Sequence, residues 1–309
     1  VSRLIYWQGD PARGVNGSTL EFLKNMNQGL QQRHPTAMLI AEDSTNFEKV
    51  TAPVEYGGLG FDYKWDLGWM NDTLDYFKKT PEERKSNLGK LTFSMMYFWR
   101  EHYILPFSHD ENVHGKATIL QKMYGEYEDK FPQGRALYLY MAIHPGKMLD
   151  FMGNEFGQLR EYDESREQDW LLLDYEKHRQ LQAFSKELNH FYTAHPALWQ
   201  IDYSWEGFQW ISSDDNSNSV IAFRRIDRDG KDLITVFNFT PNDHEDYRIG
   251  VPEKGTYKVV MDTALKKYGG TKPRLCGTYK TKKIPMHNME QSISLKLSGL
   301  SALYLEKIK

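Results

Sequence analysis

The sequence predicts an α/β unit built on a parallel sheet, followed by an all-β sandwich. Up to about residue 200, short apolar runs alternate with longer helical patterns, which is the signature of βα units. Beyond that point, period-two runs follow one another with turn residues between them. With 309 residues, 40% of them hydrophobic, there is enough apolar material for both units to build cores.

Taken in chain order, "STLEFLKNMNQGLQQRH" reads as a helix with Ser18 as N-cap and Glu21 three residues on, a capping-box pattern. "AMLIAE" (37–42) and "GFDYKW" (60–65) are strand candidates bounded by turn residues. "TPEERKSNLGKLTFSMMYFWREH" reads as a helix with Thr80 as N-cap and Pro81 at the first helical position. "YILPFSHD" (103–110) is the third strand, "FPQGRALYLYMAIHPG" the next helix and "KMLDFMG" (147–153) the fourth strand. "YEKHRQLQAFSKELNHFYTAHP" closes the first unit, stopped by Pro196.

The second unit, 201–309, is expected from "SVIAFRRI", "DLITVFNFT", "DYRIGV", "TYKVVMD", "SISLKL" and "SALYLEKI", with a hairpin turn at Asp227-Arg228-Asp229-Gly230. A (β/α)8 barrel needs about 250 residues and eight strands, whereas only four strands fit in 1–200. The chain also opens at Val1 inside a loop-like stretch, "VSRLIYWQGD". It is therefore expected to be a C-terminal fragment of a longer protein.

The net charge of -3 and a pI near 6.4 provide no basic stripe to neutralise phosphates, which argues against nucleic acid and anionic membrane as partners. A single cysteine, Cys276, excludes an internal disulfide and a cysteine-rich metal site. No apolar run approaches the roughly 18 residues of a membrane span, and no signal-peptide pattern opens the chain, so the expected location is the cytoplasm. Aromatics reach 14% and many sit in polar surroundings such as "FDYKWDLGW" and "SWEGFQW". Such rings suit pyranose faces, although most aromatic residues in any chain are core residues.

Side-chain alternation puts Met38, Ile40 and Glu42 on one face of their strand and Leu39, Ala41 and Asp43 on the other. The two adjacent acids should not act as a pair. In a barrel, catalytic groups stand at the C-terminal ends of strands, and Glu42 is the acid chosen here. A second strand-end acid appears in "YILPFSHDENVHG" as Asp110, beside His109. Two such carboxylates suit glycosidic chemistry, one donating a proton to the leaving oxygen and the other meeting positive charge on the sugar. Solvated charge at strand ends is an equally good account of spacing alone.

The sequence has no HExxH, CxxC pair, GxGxxG or GxxxxGK[ST], so zinc proteolysis, dinucleotide binding and P-loop chemistry lack their parts. His109 and His114 have no strong metal-binding spacing. Ser44 and Ser108 are not embedded in a nucleophile elbow.

"AEDSTNF", then "GGLGFDYKWDLGWMNDTLDYF", "LPFSHDENVHGK" and "DFMGNEFGQ" together resemble the bacterial glycogen branching enzymes of the alpha-amylase superfamily. The resemblance runs over essentially the whole chain. It implies the C-terminal half of a (β/α)8 barrel, strands five to eight, followed by a small antiparallel β-sandwich. It also implies a retaining glycosyltransferase of glycogen biosynthesis acting on glycogen or another α-1,4-glucan. On this likeness Glu42 is the general acid/base, Asp110 stabilises the transition state and His109 binds substrate, with no metal or organic cofactor. The family's nucleophilic Asp belongs to an "RVDAV"-type motif that these residues do not contain. The chain alone is accordingly expected to be inactive. A hydrolase of the same superfamily and a non-catalytic glucan-binding module are the rival readings. A half-barrel with open edges is further expected to self-associate or to be disordered near residues 1–20.

Overall fold

A computed structural model describes residues 1–309, the side chain of Ser2 apart. Strands β1 (Ile40–Ala41), β2 (Tyr63–Trp65), β3 (Tyr103–Phe107) and β4 (Lys147–Asp150) form one parallel sheet in that order. All four fall inside the expected runs, but each is shorter. The ends that sequence reading assigned to strand become loop, and those loops carry the candidate acids. β1 pairs only with β2, so its other edge is unpaired.

The helices are α1 (Ser2–Ile5), α2 (Gly17–Arg33), α3 (Leu67–Lys78), α4 (Pro81–Lys85), α5 (Gly89–Thr92), α6 (Tyr127–Ile143) and α7 (Glu176–Ala194). Within residues 1–20, Ile5 is buried beside Leu23 and Ala41. The N-cap of α2 is Asn16, whose side chain accepts from Thr19 N at 3.3 Å, and Ser18 lies inside the helix. Asn at N-cap satisfies the same orphan donors as Ser, and it stands two residues earlier.

The long helix expected from Thr80 breaks up. Its capping box forms, Glu83 N donating to Thr80 Oγ1 at 3.2 Å and Thr80 N to Glu83 Oε2 at 2.9 Å. But Ser86 Oγ and Asn87 Nδ2 both donate to the Glu83 carbonyl, at 3.1 and 2.7 Å. Side chains that bond the backbone locally compete with the helical ladder, and α4 stops after Lys85. In turn α3, which the sequence reading passed over, is capped by Asp66, accepting from Trp69 N at 2.8 Å.

The second unit comprises β5 (Phe208–Asp215), β6 (Val220–Ile226), β7 (Asp232–Asn238), β8 (His244–Val251), β9 (Thr256–Asp262), β10 (Thr278–Lys280), β11 (Gln291–Leu297) and β12 (Ser301–Lys307). A six-stranded antiparallel sheet in the order β10-β9-β12-β7-β6-β5 faces the pair β11-β8, which makes the expected sandwich. β5 and β10 were not foreseen; their sequences alternate too weakly. The Asp227–Gly230 turn joins β6 to β7 as read.

Alternation along the strands serves two cores at once. Ile234 and Val236 of β7 and Leu303 and Leu305 of β12 face β8 and β11. Leu233, Phe237, Ala302 and Tyr304 point the other way, into a core shared with α6 and α7. From Gln133 to Ile143 every residue of α6 is buried, because the helix lies between the parallel sheet and the sandwich. Hydrogen bonds stitch the seam: Tyr304 Oη donates to Leu139 O at 2.8 Å, and Arg225 Nη1 to Ile143 O at 2.9 Å. Among the described residues, no helix is long and apolar enough to cross a membrane.

Candidate active site

Glu42 and Asp43 leave β1 in opposite directions. Ile40 and Glu42 are exposed, while Ala41 and Asp43 are buried, the alternation that a strand imposes. The Asp43 carboxylate sits 2.8 Å from Lys64 Nζ and accepts Thr45 Oγ1 at 2.9 Å. Lys64 belongs to β2, is itself buried, and gives a further bond to Thr45 O at 2.8 Å. This pair fastens the loop after β1 to the sheet. No protein group among the described residues donates to the Glu42 carboxylate; only its backbone carbonyl is engaged, by the Val1 ammonium at 2.8 Å.

Asp110 and His109 open the short turn after β3, His109–Asn112. Both side chains are about half exposed, and His109 Nε2 stands 3.5 Å from Asp110 Oδ1. The His109 ring lies 6.0 Å from the Phe151 ring, just past β4. Asn112 holds the turn in shape: its Nδ2 donates to Ser108 O at 2.9 Å, and its Oδ1 accepts from Ile119 N at 3.2 Å. The following loop contains His114 and Ala117 at positive φ, 60° and 64°. Glu161, from the loop after β4, clamps it by accepting Gly115 N at 2.9 Å and Ala117 N at 2.7 Å. Those two backbone donors hold the Glu161 carboxyl below its usual range.

The sheet therefore carries Glu42 and Asp110 to the same, C-terminal edge from β1 and β3, with β2 between them. Two strand spacings place their strand ends roughly 10 Å apart. Both are half-exposed or freer, so a ligand lying along that edge can reach them. Neither Ser44 nor Ser108 gains a base: Ser108 is buried with its carbonyl engaged by Asn112.

Sequence reading missed three supporting groups. Lys64 and Glu161 act through the loops they fasten, and only "YKW" and "LREYD" in their own segments could have flagged them. Asp66, the cap of α3, is 3% exposed; Trp69 N and Tyr97 Oη both reach its Oδ1, while Oδ2 has no partner. Burial pushes its pKa up to about 6. Another strand-end acid, Asp150 of β4, accepts Asn154 Nδ2 at 2.9 Å.

Residues 210–307 match the family model of the alpha amylase C-terminal all-beta domain. The chain is 46% identical over 292 residues to the 1,4-alpha-glucan branching enzyme of Aquifex aeolicus, covering 94% of this chain and 46% of that protein. It is 44% identical to the Halothermothrix orenii enzyme of the same name, covering 95% and 47%, and 41% identical to that of Bacillus anthracis, covering 100% and 48%. An alpha-amylase from H. orenii has a similar fold, with a TM-score of 0.59 at 17% identity over 98% of this chain and 59% of that one. A cyclomaltodextrinase gives a TM-score of 0.59 at 17% identity over 93% and 43%. The parallel half-sheet with its appended sandwich is thus the alpha-amylase fold in part, and the chain spans under half the length of the curated relatives it matches. By its sequence, the chain belongs to the family of the bacterial 1,4-alpha-glucan branching enzymes.

Proposed function

We propose that this chain supplies the proton-transfer side of a retaining 1,4-α-glucan branching reaction. The observation that carries the reading is the split between Glu42, exposed and unengaged at the end of β1, and Asp43, buried against Lys64. Glu42 gives its proton to the glycosidic oxygen as the C1–O4 bond breaks and a carboxylate captures C1. It then takes the proton of an acceptor 6-hydroxyl as O6 displaces that carboxylate, leaving an α-1,6 branch. Asp110 faces the positive charge that develops on the sugar, and His109 beside it holds hydroxyls. The capturing carboxylate is assigned to another segment of a protein of the relatives' length. The chemistry requires no metal or organic cofactor, glycogen or a similar α-glucan is the partner, and the cytoplasm is the location.

The test is the formation of α-1,6 linkages on amylose by a protein of the relatives' full length that includes this chain. Glu42→Gln there is expected to lower branching about 10²–10⁴-fold. Unchanged branching would leave only a binding role, and sugar release without branches would identify a hydrolase. The 309-residue chain alone is expected to form none; a rate near that of the longer protein overturns this. We also assign residues 1–200 to the half-barrel and 201–309 to the sandwich. The open edge of β1 is expected to make the isolated chain self-associate, so a strictly monomeric light-scattering profile counts against that expectation.

A further inference from the structure

Three arginines are buried in this molecule, and Arg135 has the fewest partners of the three. Arg225 donates to the carbonyls of Gly207, Ile143 and Ile201 and pairs with Asp202. Arg84 donates to the Phe239 and Phe77 carbonyls and to Gln133 Oε1. Arg135, on α6 and 3% exposed, makes one such bond, from Nε to Thr263 O at 2.9 Å.

Its two terminal nitrogens donate to no protein acceptor among the described residues, yet they are not sealed in. They belong to the floor of a pocket of about 280 Å³ between α6, α7 and the sandwich. The other charges around it are already matched. Lys177 pairs with Glu128, and Asp243 accepts Gly299 N at 2.8 Å. Asp262, the acid that acts electrostatically on Arg135, is held by Lys272 at 2.7 Å and by Ala264 N at 2.8 Å. Burial pulls the Arg135 pKa down only to about 10, so the group is charged at neutral pH.

The approach to the guanidinium is kept open by backbone. Gly269 has φ +86°, and a Cβ there would fall 2.5 Å from Gln180 Oε1 and 3.5 Å from Arg135 Nη1. A buried cation with unused, coplanar N–H groups is costly unless an acceptor reaches it, and the best match is a pair of oxygens sharing negative charge. Neutral sugar hydroxyls offer acceptors but do not neutralise the charge.

We infer that the pocket between α6, α7 and the sandwich is a binding site for a small oxyanion, phosphate or carboxylate, held end-on by Arg135. The inference is independent of the glucan reading, since no residue of the candidate active site takes part. Because the pocket walls come from both units and Arg135 also ties Thr263, occupancy stiffens the seam.

The test uses the 309-residue chain, titrated separately with inorganic phosphate and with acetate against chloride at equal ionic strength, reading Tm and calorimetric heat. A saturable rise in Tm with an oxyanion and not with chloride is expected. Response to phosphate alone assigns a phosphate or phosphate ester, to acetate alone a carboxylate, and to both a general oxyanion site. Arg135→Gln should abolish it. If that variant does not fold, Thr271→Glu at the exposed rim places a competing carboxylate at the pocket mouth and should weaken binding at least tenfold. Equal effects of all three salts, or unchanged affinity in Thr271→Glu for whichever oxyanion the parent binds, overturn the proposal.

Discussion

On one face of β1, Glu42 is exposed and its carboxylate accepts no hydrogen bond among the described residues; one residue on, Asp43 is buried, ion-paired with Lys64 and bonded to Thr45. The contrast extends to the larger units. The six-stranded sheet is covered on both faces, by α6 and α7 on one side and by β8 and β11 on the other. The parallel sheet leaves the Glu42 side of β1 and the outer edge of that strand uncovered. A residue on a closed face is available to the fold, and one on the open face is available to a ligand.

The sharpest way to break this comparison is at Asp43. Asp43→Ala strands the buried Lys64 ammonium and should cost about 3–5 kcal/mol in urea unfolding. The double variant Asp43→Ala, Lys64→Met should recover much of that loss; if it does not, the pair is not what holds the loop.

Asp66 tests the same buried side by pH. Its folded pKa of about 6 lies above the ordinary Asp value of 3.8, so the folded state binds the proton more tightly. That stabilisation is complete below about pH 3.8 and is lost as pH rises through 6. Asp66→Asn should therefore be more stable than the parent by up to about 3 kcal/mol at pH 8, the two converging near pH 4. The comparison with the parent matters because His144 acts in the opposite sense. Burial holds it down to about 3, which costs stability as pH falls below 6.5. Equal stability of parent and variant at pH 8 would refute the assignment.

At the seam, Tyr304→Phe deletes the bond to Leu139 O and should cost about 1 kcal/mol, measured by thermal unfolding. The smallest effect is expected on the open face. Glu42→Gln should change the chain's stability by less than about 0.5 kcal/mol, in contrast to its proposed effect on activity. A loss as large as that of Asp43→Ala would erase the distinction between the two faces.

Much of this was legible in order. The period-two runs beyond residue 200 gave six of the sandwich strands, and apolar runs before it located the four parallel ones. Thr80 was readable as an N-cap because capping is decided within three residues. What followed it was not, since the competition of Ser86 and Asn87 for one carbonyl is decided in three dimensions. The candidate acids were readable as strand-end residues; alternation put Glu42 and Asp43 on opposite faces, and the neighbouring family motifs chose Glu42. Lys64, Glu161 and Arg135 were not, because each acts on a partner far along the chain: Lys64 on Asp43, Glu161 on the Gly115–Ala117 loop and Arg135 on Thr263.

The sequence by itself determined the element types, the face each acid takes and the family to which the chain belongs, because periodicity and short motifs are local properties of the chain. Tertiary structure alone decided which acid is buried and paired, how one helix comes to serve two cores, and where a guanidinium faces the pocket between α6, α7 and the sandwich. Burial and charge pairing depend on which distant segments meet, and no window of sequence contains both partners.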